Sequence, residues 1–78
     1  MDRDLWSGLA IFGEIVEAGS FAKAATRLGL SASALSHAMR VLERKLDLRL
    51  LDRTTRSLAP TSAGEALLLR LRPAMASV

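Results

Sequence analysis

Apolar residues recur along this chain in short runs at helical spacing, separated by small and polar residues. Between Leu5 and Ala18, the residues Leu5, Leu9, Phe12, Ile15 and Val16 fall within about 120° of one another when successive positions are set about 100° apart. That spacing predicts an amphipathic helix with one face on a core. Trp6 and Ala10 lie well off this face and form a second apolar patch, which another helix or a second chain is expected to cover. Gly19 can end the helix in a left-handed turn, and the Ser20 hydroxyl can cap the next one.

The following segment, FAKAATRL, is short and rich in small residues, with Gly29 as its stop and Ser31 as the next cap. Two helices joined by about three residues that include a glycine form a helix-turn-helix. Ala24 and Ala25 suit the place where the helices cross, because a larger side chain would hold the backbones apart. The third helix is expected over Ala32–Leu46, where Leu35, Met39, Leu42 and Leu46 make one buried stripe. Opposite that stripe, between about 100° and 200° from Leu35, stand Ser33, Ser36, His37, Arg40 and Arg44. No acid shares this face. Glu43 sits at its border, placed to pair with Arg40 or with Lys45 or Asp47 neighbours on other elements.

Beyond Leu46, Asp47 can take the left-handed position often given to glycine, and LRLLD has the pattern of a short half-buried strand. RTTRS is turn-like, and LAP returns as a second strand whose Pro60 suits an edge. Together they predict a two-stranded wing. Thr61 is placed to cap a last helix starting near Ser62, with Leu67, Leu68, Leu71, Met75 and Val78 on a broad apolar face. Pro73 is expected to kink this helix or end its first half, since its ring removes the bond to Leu69. The apolar pattern runs to Val78 without a cap or polar tail, as expected of a segment cut from a longer protein.

Composition narrows the chemistry. A chain of 78 residues, half of them hydrophobic, makes one small domain with a thin stability margin, for which help from a partner subunit is expected. It has no cysteine and one histidine, His37, so neither a disulfide framework nor a thiolate or histidine-cluster metal site is available. A reducing cytoplasm fits. Ser7, Gly8, Gly13 and Glu14 interrupt the first apolar stretch, which is therefore neither a signal peptide nor a membrane span. The net charge of +3 is unevenly spread: residues 1–22 carry one base against four acids, and residues 23–78 carry ten bases against four acids. A polyanion would bind the basic part, although a solvated basic surface alone accounts for the same numbers.

Helix three is ordered as a helix in the DNA major groove requires. Short residues come first, Ser31, Ala32 and Ser33, then Ser36 and His37, then the long bases Arg40 and Arg44. The plainer account makes the serines caps and the arginines a solvated face. In the wing, Arg53, Thr54, Thr55, Arg56 and Ser57 can meet phosphates or the minor groove, or can simply form a soluble turn. Lys23 and Arg27 are weaker candidates for backbone contacts. Ser36 and His37 point about 100° apart and cannot act as nucleophile and base, while Asp2 and Asp4 are helix-start acids. No cofactor and no enzymatic activity are expected.

The stretch EAGSFAKAATRLGLSASALSHAMRVLERKLDLRLLDRTTRSLAPTSAGEALL resembles the N-terminal domain of LysR-type transcriptional regulators. The likeness is carried by AGSF, by AA and LGLS at the turn, by SALS and LE in helix three, by RLLDR, and by PTSAG. It implies a mainly α, winged helix-turn-helix fold: a three-helix core, a two-stranded wing and a C-terminal linker helix. It also implies DNA binding by residues 1–60 and the start of a linker or dimerisation helix at 61–78. That helix would pair with another subunit, with Trp6, Leu67, Leu68, Leu71 and Met75 as the candidate dimer contacts. A separate effector-binding domain, absent from this chain, would take any small molecule. Family members bind interrupted palindromes as dimers or tetramers, and their base-reading positions fall here on Ala32, Ser33, Ser36 and His37, with Arg53 in the wing. Glutamine is common where this chain has Ala32 and arginine where it has His37, so the bases read cannot be copied from other members. Asp47 and Ser62 also depart from a usual glycine and a usual acid. The competing class is a protein-interaction module that uses the winged helix only for docking; the polar face of helix three argues against it.

Overall fold

The computed structural model describes residues 3–53 and 58–76, and the order of elements is four helices with one hairpin inserted before the last. Helix α1 spans Arg3–Ala18, α2 Phe21–Leu28 and α3 Ala32–Leu46; strands β1 (Leu51–Arg53) and β2 (Leu58–Pro60) follow, and α4 covers Ser62–Ala76. The strands pair antiparallel, with Leu51 opposite Pro60, Asp52 opposite Ala59 and Arg53 opposite Leu58. This is the expected mainly α fold with a two-stranded wing.

Each helix boundary has a local cause. The Ser20 hydroxyl accepts from the Lys23 amide at 3.0 Å and that of Ser31 from the Ala34 amide at 3.1 Å, so two otherwise orphaned donors are satisfied. Gly29 closes α2 at φ +69°, a conformation free of Cβ strain only for glycine. Asp47 closes α3 at φ +54°, as its polar side chain permits. The Thr61 hydroxyl accepts from the Gly64 amide at 3.0 Å and starts α4. Pro73 does not end that helix, which continues to Ala76: losing the single bond to Leu69 leaves the neighbouring turns intact.

The core is wholly apolar among the described residues, with Phe12, Ile15, Leu35, Met39, Leu42 and Leu50 essentially inaccessible. Ala24 and Ala25 are buried where α2 crosses its neighbours. Gly8 has the same role in α1, since a Cβ there would stand 3.2 Å from Leu42. Leu68 and Leu71, expected on a face toward a second subunit, are instead buried in this chain's own core, and Leu67 packs against it half-buried. An apolar period marks a covered face without naming what covers it. Among the large apolar side chains described in α4, Leu69 is exposed, at 71%, and in α1 Trp6 keeps 38% of its surface. Val78 and the side chain of Met75 lie outside the described part.

Leu50 joins α3, the wing and α4. Its amide donates to Glu43 Oε2 at 2.7 Å, with the Leu51 amide on the same oxygen at 3.3 Å. Its carbonyl accepts from the Thr61 amide at 3.0 Å, and the Thr61 hydroxyl donates to the carbonyl of Arg49. Glu43 thus accepts from backbone donors of a later segment, a role beyond the ion pair with Arg40 that helical spacing suggested. Two amides at the start of a strand need an acceptor, and burial nearby makes leaving them unmatched costly.

Gly64 lies directly over this joint, and a Cβ there would be 2.3 Å from the Leu50 carbonyl oxygen. Gly64→Ala should therefore lower stability by about 1–3 kcal/mol, read as a fall in the thermal midpoint of the helical circular dichroism signal. Ser31→Ala should cost about 0.5–2 kcal/mol in the same melt, and Ser31→Asp, which keeps a capping oxygen, should restore most of it.

Candidate nucleic-acid interface

The surface of interest is built on α3, and its orientation follows from which residues the core takes. Burial of Leu35, Met39 and Leu42 turns the opposite side of the helix outward. Ser31, Ala32, Ser33, His37, Arg40 and Arg44 are all exposed, and Ser36 is half-buried. Ala34, which helical spacing places off the basic face, is exposed as well and adds a second methyl to the helix start. The hydroxyls of Ser31 and Ser33 lie 3.3 Å apart and share a hydrogen bond. Ser31 is thus a cap whose remaining hydrogen-bonding capacity faces solvent together with that of Ser33.

The exposed face divides into three parts along the helix. Its start carries only short side chains, so another molecule's backbone or bases can come close to the positive end of the helix dipole. Midway, His37 borders a mostly apolar groove of about 220 Å³ between α1 and α3, formed with Ser7, Gly8, Ile11, Ala38, Val41, Leu42 and Lys45. Towards the end, Arg40 and Arg44 line a wider cleft of about 340 Å³ with Glu43, Asp47, Leu48 and Arg49. Arg49 was not among the residues singled out from the sequence. The sequence places it inside the expected strand LRLLD; in the structure it precedes β1 and lines the same cleft as the α3 arginines because the chain reverses at Asp47.

The remaining candidates are placed less favourably or not described. Arg27 pairs with Glu14 at 3.9 Å on the surface between α1 and α2, and Lys23 is exposed on α2. Arg53 ends β1, opposite Leu58, while its side chain and the residues Thr54, Thr55, Arg56 and Ser57 lie outside the described part. Among the described residues no cluster of His, Cys, Asp or Glu could hold a metal ion. No helix there is long and apolar enough to cross a membrane.

The arrangement has close counterparts. Residues 6–65 match the family described as bacterial regulatory helix-turn-helix protein, lysR family. The HTH-type transcriptional regulator PgrR of Escherichia coli K12 is 49% identical over 73 residues, which are 94% of this chain and 24% of that protein. The chain therefore spans about a quarter of the curated relatives it matches. Among solved structures, the crystal structure of the CbnR DNA-binding domain in complex with DNA superposes with a TM-score of 0.83 at 35% identity, covering 96% of this chain and 83% of that one. Oxidised OxyR of Corynebacterium glutamicum gives a TM-score of 0.86 at 36% identity, covering 97% of this chain and 25% of that one. With that family match and these relatives, the chain belongs to the lysR family of bacterial regulatory helix-turn-helix proteins.

Proposed function

We propose that this chain binds double-stranded DNA sequence-specifically, as the headpiece of a LysR-type transcriptional regulator. The observation that carries the proposal is the exposed face of α3, with short residues at its start and arginines toward its end. A helix of this form enters the major groove by its first turns, where small side chains let the backbone approach the bases. Ser33, Ser36 and His37 then meet base edges, Ala32 offers a methyl, and Arg40 and Arg44 reach phosphates or guanine. The 53–57 segment lies along the backbone or the minor groove. The related DNA-binding domain of CbnR, solved in complex with DNA, supports this use of the fold.

Residues 1–60 form the DNA-binding unit in this reading, and 61–78 begin the helix that pairs with a second subunit. A homodimer, or a tetramer in the intact regulator, would place two recognition helices on an interrupted palindrome. The exposed Trp6 and Leu69 are apolar surface for such pairing. Any small-molecule effector acts through regions outside this chain, and the protein works in the cytoplasm as a regulator rather than as an enzyme.

The test is a titration against duplex DNA from upstream of the protein's own gene and against mixed-sequence duplex over a salt series. Specific regulation predicts a steep salt slope and a preference for one site of about a thousandfold or more. His37→Ala and Arg40→Ala should each weaken binding to that site by about 1–3 kcal/mol where they read bases, and evenly on all duplexes where they meet phosphate. Full binding by both variants would overturn this assignment of the face. Absence of binding at low salt by the parent chain would turn the choice to the protein-docking reading.

A further inference from the structure

We infer that Arg49 belongs to the DNA-binding surface, where with Arg40 and Arg44 it forms a three-arginine cleft that seats a backbone phosphate at the far end of the recognition helix. The inference rests on the DNA-binding reading above and adds to it a contact outside both the helix and the wing loop. The three side chains come from different turns of the chain. Arg40 and Arg44 lie four residues apart on one face of α3, and Arg49 returns beside them because Asp47 reverses the backbone at φ +54°.

The charges in this cleft do not cancel. Glu43 lines it too, but its Oε2 already accepts from the amides of Leu50 and Leu51, at 2.7 and 3.3 Å. Its negative charge is thereby held toward backbone donors. Asp47 opposes the arginines, yet the lining still holds three cations against two anions. Arg49 is 76% exposed and meets the Asp52 carboxylate at 3.6 Å, longer than a tight charged hydrogen bond. Such an exposed pair is worth little in water, so a backbone phosphate, with one charge shared over its two non-bridging oxygens, can take the guanidinium from it in a forked contact. Leu48, also exposed, lines the same open cleft.

A phosphate contact has a signature that a base contact lacks. Arg49→Ala should lower affinity by about three- to tenfold on site-bearing and mixed-sequence duplex alike, leaving the preference between them unchanged. It should also reduce the slope of log affinity against log salt by about one. Arg49→Lys, which keeps the charge, should retain the slope, and Asp52→Asn should tighten binding more in the parent chain than in the Arg49→Ala background. A thermal melt of each variant checks the fold, which an exposed side chain should not disturb. An unchanged salt slope for Arg49→Ala, measured where Arg40→Ala or Arg44→Ala lowers it, would overturn the cleft and leave the DNA-binding reading standing. A change in site preference without a change in slope would also overturn it, and failure of the parent chain to bind any duplex would overturn both.

Discussion

The backbone of Leu50 is the point through which the functional parts of this domain are held in register. One carboxylate from the recognition helix takes its amide, one threonine from the start of α4 supplies the donor for its carbonyl, and its side chain fills the core. Because the carboxylate is charged, its bonds are stronger than those between neutral groups and resist exchange for water. Gly64 lets α4 come against the same peptide without a side chain between them. The angle at which the wing leaves α3 is therefore set by hydrogen bonds and by close backbone approach, with the small hairpin itself contributing little. A two-stranded ribbon of three residues per strand has no independent stability and must borrow it in this way.

This construction leaves the outer side of α3 free of structural duty. The core takes Leu35, Met39 and Leu42, the joint takes Glu43, and the cap takes one hydrogen bond of Ser31. Ser33, His37, Arg40 and Arg44 are exposed, so their removal should cost the fold little, while Ser36 is half-buried. Their order matters to the proposed use: short side chains at the start of the helix permit close approach, while the longer arginines reach sideways to a polyanion. In the proposed use, Ala32 and the serines give the helix start a methyl and hydroxyls rather than long donors with which to meet bases.

The apolar surface is divided by the same economy. α4 spends Leu68 and Leu71 on the core of its own chain and presents Leu69 outward, beside a groove lined by Val16, Pro60 and Glu65. Trp6 is exposed on α1. Leu28, Leu30 and Leu48 are exposed as well, the last in the lining of the arginine cleft.

The amino-acid sequence by itself determined which helices and strands form and in what order, because the signals for them are local, although the first strand, expected over LRLLD, forms at Leu51–Arg53. Ser20, Ser31 and Thr61 cap through their own hydroxyls, Gly29 and Asp47 take left-handed turns, and the leucine stripe of α3 is a period along one element. The exposed face of α3 followed from the same period, since burying one side of a helix exposes the other. Only the tertiary structure decided which partner each group meets. Glu43 was placed by helical spacing beside Arg40, yet two amides from a later segment claim it; Leu68 and Leu71 had the pattern of an intersubunit face, yet α4 folds them inward. Arg49 joined the α3 arginines only once the chain had reversed. Periodicity is a property of one element, whereas hydrogen-bond partners and packing faces depend on how elements separated in sequence are brought together, and no local pattern records that.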